Sequence, residues 1–226
     1  MSLIEVKNIT KRFDDKIVLD NITLTIDEGD IFGLIGPNGA GKSTLIKIMT
    51  GLWDSNGGEV IIDGYDLKKE PLKVKEQIGL VPQEIALFEG ISAYDNLEFF
   101  GYLYGLKGKL LKERINEALE VTGLQDKRKE KVQKFSGGMK RRLNIACAIL
   151  HHPRILIMDE PTVGIDPQSR NHIFEFTRRI NRENNTTVIY TSHYMEEVEM
   201  LCNNVLIIDL GEEVAYGDKK TIKSMI

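Results

Sequence analysis

Four short apolar runs in the chain each end abruptly in a polar or glycine-rich segment. They occupy residues 31–36, 78–83, 155–160 and 187–193. Apolar runs of this length without alternation are typical of parallel strands that are covered on both faces. The pattern therefore predicts an α/β fold with a mainly parallel sheet.

The polar residues at the ends of these runs predict an active site. In open α/β sheets, ligands bind beyond the carboxyl ends of the strands. If the four runs are parallel neighbours, one edge of the sheet collects Lys42, Gln83, Asp159, Glu160 and His193. Position alone thus points to a catalytic edge.

Residues 36–43 indicate the ligand for this edge, because they fit the phosphate-loop pattern G-x-x-x-x-G-K-[ST]. In such loops the glycines let backbone N–H groups wrap a phosphate, and the lysine adds charge near the β- and γ-phosphates. We therefore predict that Lys42 contacts the phosphates and that Ser43 binds Mg²⁺. The residues that follow predict a helix whose N-terminus faces the anion.

The two carboxylates after the third run predict different roles. Asp159 suits the Mg²⁺-binding carboxylate of phosphate-loop NTPases. Glu160 points another way, because adjacent residues at a strand end diverge, and we interpret it as the base that polarises the attacking water. Without the glycine loop, a polar turn after a buried strand would be the simpler interpretation of both residues.

Of the four histidines, His193 is the candidate for chemistry, because it follows a buried strand and precedes an acidic helix start. We predict that it contacts the γ-phosphate, and a structural histidine is the alternative. His151, His152 and His172 are interpreted as surface residues. None of them has metal-site spacing with a second ligand.

A second glycine-containing loop, FSGGMKRRLN at residues 135–144, also predicts anion binding. Ser136 is a good helix N-cap, and Gly137 and Gly138 leave backbone N–H groups uncovered in the first turn. One nucleotide needs only one phosphate loop. The second loop therefore requires a separate explanation.

Composition and charge narrow the class of protein. The chain has 226 residues, 42% hydrophobic and 28% charged, with a formal net charge of −4. These values are typical of a soluble globular protein of one domain or two intimate lobes, and they imply no polyanion partner. The charged segment 107–134 has apolar residues at helical spacing, so we interpret it as a solvated helix and expect no nucleic acid binding.

The sequence also predicts where the protein works. Its apolar runs are too short to span a bilayer, and residues 1–10 have no signal-peptide pattern. Cys147 and Cys202 are isolated within apolar segments, which indicates buried, reduced thiols. We therefore expect a cytoplasmic protein.

Taken together, the motifs resemble those of the ATP-binding subunits of ABC transporters. Besides the phosphate loop, the chain has the signature FSGGM, the motif ILIMDEP, the D-loop VGIDP and a histidine after the last apolar run. The match covers essentially all 226 residues, in family order. It implies one ABC ATPase domain over residues 1–226. A phosphate-loop NTPase core with an N-terminal antiparallel β subdomain would occupy 1–83 and 152–226, and a helical insert 84–151.

The resemblance assigns roles to individual residues, with ATP and Mg²⁺ as ligands. Catalysis falls to Glu160, His193 and Lys42, and the metal ligands are Ser43, Gln83 and Asp159. The residues implied in nucleotide binding are Phe13, Val18, Gly36, Pro37, Asn38, Gly39, Ala40, Gly41, Lys42, Ser43, Thr44 and Gln83. Phe13 takes the adenine-stacking position, where the ring matters more than a hydroxyl.

The resemblance also explains the second loop. Two ATP-binding subunits, either two copies of this chain or this chain and a relative, pair head to tail. Each ATP then lies between one subunit's phosphate loop and the signature of the other. The residues implied to contact the partner's ATP in trans are Ser136, Gly137, Gly138 and Asp166. Met139 and Val163 stand where the family often has glutamine and serine.

The implied function is to power transport through a separate integral membrane permease, at the inner face of the cell membrane. The signature and D-loop segments are most similar to subunits of ABC-2-type exporters, which suggests export. Residues 84–106, rich in Phe and Tyr, are interpreted either as the groove that receives the permease or as helical core. Lys140, Arg141 and Arg142 are interpreted as a solvated helix face. The alternative function is a soluble assembly ATPase, such as one for iron–sulfur clusters.

Overall fold

The computed structural model describes residues 2–223, in which ten strands form two sheets. The strands are β1 (Ser2–Phe13), β2 (Lys16–Asp27), β3 (Ile31–Ile35), β4 (Gly57–Ile62), β5 (Tyr65–Asp66), β6 (Ile78–Val81), β7 (Ile155–Met158), β8 (Thr187–Ser192), β9 (Asn204–Asp209) and β10 (Glu212–Asp218). The helices are α1 (Lys42–Met49), α2 (Pro71–Glu76), α3 (Ala93–Leu103), α4 (Gly108–Val121), α5 (Gly137–Ile149), α6 (Pro167–Asn184), α7 (Met195–Leu201) and α8 (Lys219–Lys223). Short 3-10 helices lie at Gln125–Lys127 and Val132–Lys134.

The smaller sheet is antiparallel, with strand order β2-β1-β4-β5. Along β2, buried Ile22, Leu24 and Ile26 alternate with exposed residues. Such alternation is typical of an antiparallel sheet that packs on one face and is solvated on the other. The N-terminal antiparallel sheet implied by the resemblance is therefore confirmed.

The larger sheet has strand order β10-β9-β3-β8-β7-β6. All neighbours from β9 to β6 pair in parallel, and β10 runs antiparallel to β9. Strands β3, β8 and β7 are buried at every position, which explains why their apolar runs show no alternation. The four runs predicted as parallel neighbours are β3, β8, β7 and β6, so this prediction is confirmed.

Successive residues of the large sheet pack into two different hydrophobic clusters. In β7, Ile155 and Ile157 join the cluster with β1, β2 and α1, whereas Leu156 and Met158 join the cluster with α3 to α7. The sheet is thus a middle layer between the antiparallel sheet with α1 on one face and helices on the other.

Helices α3, α4 and α5 follow one another along the chain and pack together. In α4, Leu111, Ile115 and Leu119 are buried, as their spacing predicts, although Leu110 is exposed. The division of the chain into a core and a helical insert at residues 83 and 152 stays a prediction.

The two cysteines are free and buried, as predicted. Burial raises the pKa of both the Cys147 and the Cys202 thiol. Across residues 2–223, no helix combines the length and the apolar character that a membrane span requires.

Candidate functional site

The loop between β3 and α1 is built from glycines that the packing requires. A Cβ at Gly36 would lie 2.2 Å from the carbonyl oxygen of Ile208. Gly41 has a φ of +111°, and a Cβ there would lie 2.9 Å from the carbonyl oxygen of Val18. The chain can therefore turn sharply into α1 only with glycine at both positions.

Helix α1 starts at Lys42, directly after Gly41, which is its N-cap residue and offers no side chain to the first turn. The first turn, Lys42-Ser43-Thr44, contains no acidic residue. The amide groups at this helix end are left for an anion, with the helix dipole and Lys42 adding positive potential. The donor set of this loop fits a nucleotide phosphate.

The Lys42 ammonium group is buried at the carboxyl edge of the large sheet. Its Nζ donates to the carbonyl oxygens of Gly36 at 2.7 Å and Pro37 at 3.1 Å. It also forms an ion pair with Glu160, with 3.2 Å between Nζ and Oε1. A phosphate at the loop would compete with these oxygens for the same ammonium group.

The carboxylate of Glu160 is the point at which the predicted residues meet. Besides Lys42, Gln83 donates to it, with Nε2 3.2 Å from Oε2. His193 Nδ1 lies 3.8 Å from the same oxygen. The predicted convergence of the strand ends is confirmed, since these side chains come from α1 and from the loops after β6, β7 and β8.

Thr191 of β8 is hydrogen-bonded to both acidic residues that follow β7. Its Oγ1 donates to Asp159 Oδ1 at 2.8 Å and accepts from the Glu160 backbone N–H at 2.7 Å. Glu160 has a φ of +46°, a left-handed conformation that is costly for a glutamate. The hydrogen bond to Thr191 stabilises this turn, which separates Glu160 from Asp159 as the strand-end argument predicts.

The predicted metal ligands are oxygen donors, the class that Mg²⁺ prefers. They are the Ser43 hydroxyl, the Gln83 amide and the buried Asp159 carboxylate. Mg²⁺ is held by few protein ligands and otherwise by phosphate oxygens and water, so these donors fit it. Within residues 2–223, no cluster of three or more His, Cys, Asp or Glu side chains forms a metal site independent of a phosphate.

Arg141 contradicts the interpretation of residues 140–142 as a solvated helix face. It is buried, and its guanidinium group donates to the carbonyl oxygens of Pro82, at 2.6 Å, and Gln83. Burial lowers the pKa of Arg141. The prediction was wrong because the residue lies on the inner side of α5, where it fixes the backbone that carries Gln83.

The neighbours of Arg141 are more exposed and have other partners. Lys140 forms an ion pair with Glu89 at 2.5 Å, and Arg142 donates to the carbonyl oxygen of Thr122 at 2.9 Å. Arg142 is half-buried. The three consecutive basic residues therefore serve three different contacts.

The second glycine loop is the N-terminus of α5, as predicted. Ser136 is the N-cap residue, and its hydroxyl accepts from the Met139 N–H at 3.2 Å. A Cβ at Gly138 would lie 2.0 Å from Ser169 Oγ, so glycine is required there. This loop therefore packs against the start of α6.

Asp166 is the N-cap residue of α6. Its carboxylate accepts from the Ser169 N–H at 2.9 Å and from the Ser169 hydroxyl at 2.7 Å, and these bonds lower its pKa. The structure thus gives Asp166 a structural role within the chain. Its contact with the ATP of a partner subunit stays a prediction.

Phe13 lies at the end of β1 and is partly exposed. Its ring packs edge-on against Trp53, with 5.3 Å between centroids. The neighbouring hairpin residue Val18 touches Gly41 of the phosphate loop through its carbonyl group. The hairpin that carries Phe13 therefore lies next to the phosphate loop, and stacking of Phe13 on adenine stays a prediction.

His151 is not the surface residue that the sequence predicts. Its ring stacks on Tyr104 with 3.9 Å between centroids, and Nε2 lies 3.1 Å from the carbonyl oxygen of Ile78. Burial lowers its pKa to about 4. His152 and His172 are exposed, as predicted.

Comparison with known proteins identifies this arrangement. A family model described as ABC transporter matches residues 19–163. The linearmycin resistance ATP-binding protein LnrL of Bacillus subtilis is 50% identical, over 99% of this chain and 72% of that protein. The Nod factor export ATP-binding protein I of Cupriavidus metallidurans is 37% identical, over 96% of this chain and 71% of that protein.

Solved structures agree with these relatives. The structure of cbiO1 from Clostridium perfringens, part of the ABC transporter complex cbiONQ, superposes with a TM-score of 0.90 at 28% identity, over 99% of this chain and 91% of that one. A dimeric, post-hydrolysis structure of the ATP-binding cassette MJ0796 with ADP and Pi has a TM-score of 0.84 at 28% identity, over 95% and 98% of the chains.

Proposed function

The chain belongs to the ABC transporter family of ATP-binding subunits, and we propose that it powers export through a separate membrane-spanning permease. Membership of the exporter-type group means that the chain binds and hydrolyses ATP. The observation that carries the ATP-hydrolysis part of the proposal is the convergence of Lys42, Gln83 and His193 on the Glu160 carboxylate. On this geometry we also propose roles for the individual site residues.

Within one subunit, Lys42 and Glu160 have linked tasks. When Lys42 turns to the β- and γ-phosphates, its ion pair with Glu160 is broken, and the carboxylate becomes free to polarise the attacking water. His193 is placed beside Glu160 to donate to the γ-phosphate, and Gln83 orients the carboxylate. Ser43, Gln83 and Asp159 would hold Mg²⁺, which would neutralise phosphate charge when bound.

The second loop acts across a dimer in this proposal. The MJ0796 cassette is dimeric in a post-hydrolysis state bound to ADP and Pi, which supports a paired arrangement. A head-to-tail pair about a two-fold axis buries the same surface on both subunits, so both sites are composite. Ser136, Gly137 and Gly138 then serve the ATP held at Lys42 of the partner subunit.

An exposed aromatic face on the helical insert supports a permease partner. It consists of Phe88, Phe99, Tyr102 and Leu103, all exposed, with 4.9 Å between the Phe88 and Phe99 ring centroids. Exposed aromatic residues are enriched at protein interfaces. This face follows Gln83 in the chain, so docking there can act on the catalytic edge.

Export, rather than a soluble assembly function, is the direction that the relatives favour. The Cupriavidus relative is an export protein by name, and the Bacillus relative confers resistance to linearmycin. We propose the same class of task for this chain, carried out in the cytoplasm at the inner face of the cell membrane.

Affinity purification from detergent-solubilised membranes tests this function. Tagged wild-type chain should retain a multi-spanning membrane protein in a fixed ratio, and Leu103→Glu should lose it while still binding ATP. Leu72→Glu, on the exposed side of α2, is the matched control and should retain the partner. Wild-type chain with only soluble partners and no membrane-bound pool would overturn the proposal.

A further inference from the structure

A buried carboxylate lies behind the catalytic edge and belongs to none of the motifs described above. Glu197, the third residue of α7, is 3% exposed. Its Oε2 accepts from the hydroxyl groups of Thr162 at 2.9 Å, Tyr190 at 3.1 Å and Ser192 at 2.9 Å. The hydrogen bonds described for this carboxylate all come from neutral hydroxyl groups.

A buried charge held by hydroxyl groups alone depends strongly on their geometry. A carboxylate away from water needs hydrogen bonds to offset its lost hydration, and bonds to a charged acceptor are stronger than neutral ones. Burial and the nearby Glu197 raise the pKa of Tyr190, so that the phenol stays a donor. The network therefore holds its donors in fixed positions.

Two of these donors lie at the catalytic edge, one in the loop after β7 and one at the end of β8. Thr162 lies two residues after Glu160, in a turn closed by the Val163 N–H donating to the Glu160 carbonyl at 3.3 Å. Ser192 directly precedes His193, and its Oγ accepts from the Tyr194 N–H at 2.9 Å. Glu197 is thus bonded to both loops from behind.

The imidazole of His193 has little other support. In the part of the chain that the structure describes, its Nδ1 is buried without a hydrogen-bond partner. The ring is tilted against the Tyr194 ring, with 3.9 Å between centroids. Its position near Glu160 therefore depends on the backbone of residues 192–194.

We propose that Glu197 is a positioning residue for ATP hydrolysis, which locks the His193 loop onto the loop that follows Glu160. This inference rests on the proposed catalytic role of His193. None of the hydrogen bonds described for the network reaches residues 36–43, so we expect loss of the lock to leave ATP binding at Lys42 unaffected. The loss removes the fixed distance between His193 and Glu160, and displaced catalytic groups lower kcat.

Glu197→Gln tests the lock, because glutamine has nearly the same shape but lacks the charge. We expect kcat to fall by about tenfold to a hundredfold, with the Kd for ATP unchanged. Glu196→Gln, at the exposed neighbouring position, removes the same charge and should keep the wild-type kcat. A Glu197→Gln variant with lower thermal stability but wild-type kcat would show a purely structural network and overturn the proposal.

A double-mutant cycle with His193→Ala separates this inference from the proposed function. If Glu197 acts through His193, adding Glu197→Gln to His193→Ala causes no further loss of kcat. Wild-type kcat in His193→Ala would contradict the proposed role of His193 itself. A large loss with His193→Ala but none with Glu197→Gln would overturn only the present inference.

Thr162→Val keeps the test open if Glu197→Gln does not fold. It deletes one of the three donors at constant size and leaves the carboxylate in place. We expect a smaller fall in kcat with the Kd for ATP unchanged. Wild-type kcat in folded Thr162→Val and Ser192→Ala variants would overturn the lock.

Discussion

Trp53 lies where a single side chain can report on the base of the nucleotide. It is the only tryptophan of the chain. Its ring packs edge-on against the Phe13 ring. The Lys47 ammonium group of α1 lies over the Trp53 ring, with Nζ 4.2 Å from the ring centroid. Intrinsic fluorescence therefore observes the proposed adenine position and the helix that starts at the phosphate loop.

We predict that ATP changes the emission of Trp53 in a saturable titration. Phe13→Ala should raise the Kd for ATP by about tenfold or more, because stacking of a base on an aromatic ring contributes about 1–3 kcal/mol. Phe99→Ala, at another exposed phenylalanine, is the control and should leave the Kd unchanged. An unchanged Kd in Phe13→Ala would show that the base binds elsewhere.

Single residues also mark the limit of prediction from sequence. Lys42, Asp159, Glu160 and His193 were identifiable because each follows a recognisable strand or loop pattern. Arg141 was not, because its basic neighbours on both sides suggest a solvated face, and only the packing of α5 shows that it points inward. Glu197 was missed because an acidic pair at a helix start is usually explained by the helix dipole.

At the scale of elements, Ser136 has two roles that can be separated. It caps α5 through the Met139 N–H, and we propose that it contacts the ATP of a partner subunit. Ser136→Ala should lower the free energy of unfolding by about 1 kcal/mol through loss of the cap. It should also lower the ATPase rate, while ATP still binds with unchanged Kd at the Lys42 loop of the same subunit.

Ser92→Ala is the matched control for Ser136→Ala. Ser92 caps α3 through the Asp95 N–H at 3.1 Å, and the hydrogen bonds described for its hydroxyl group involve Asp95 and neither phosphate loop. It should cause a similar loss of stability, measured by urea unfolding, with an unchanged ATPase rate. Loss of ATP binding in Ser136→Ala would mean that the roles of the two loops are confused.

The ends of α3 and α5 meet at His151, which lies between α5 and β7 in the chain. Its ring stacks on Tyr104 at the end of α3, and its Nε2 lies within hydrogen-bond distance of the carbonyl oxygen of Ile78 in β6. Its pKa of about 4 lies below the ordinary value of 6.5. Between these two pH values the unfolded chain binds a proton that the folded chain does not, so stability falls as the pH falls from 6.5 towards 4.

We predict that His151→Gln has a shallower loss of stability over this pH range than the wild type. The measurement is urea unfolding at pH 7 and pH 5. His172→Gln replaces an exposed histidine and should keep the wild-type slope. Equal slopes in all three proteins would contradict the burial of a neutral His151.

Element order and strand direction were largely predictable, whereas contacts between distant elements were not. Uninterrupted apolar runs identified β3, β7 and β8, which are buried at every position, and β6, in which only Leu80 is half-buried. The half-buried state of His151 depends on Tyr104, which lies far away in the chain. Sequence patterns report the local period of burial but not such pairings.

At the scale of the whole molecule, the two sheets bring the nucleotide-binding parts together. The antiparallel sheet supplies Phe13 and Val18, and the parallel sheet supplies the loop with Lys42 and the catalytic edge. The signature loop packs on the start of α6. We propose that one subunit thus presents two separate phosphate-binding surfaces, and that these surfaces close on ATP only in a pair of subunits.

Light scattering coupled to size-exclusion chromatography of Glu160→Gln tests this claim most directly. Without the polarising carboxylate, bound ATP should persist and hold the closed pair together. A control adds Gly137→Asp, a position where a Cβ meets no described heavy atom within 4 Å. An acidic residue suits a helix start but repels the partner's triphosphate.

With ATP and Mg²⁺, we predict that Glu160→Gln elutes at twice the chain mass of 25.6 kDa. The same protein without ATP, and the Glu160→Gln/Gly137→Asp variant with ATP, should elute as monomers. Glu160→Gln that binds ATP yet stays monomeric at saturating concentration would contradict the composite site.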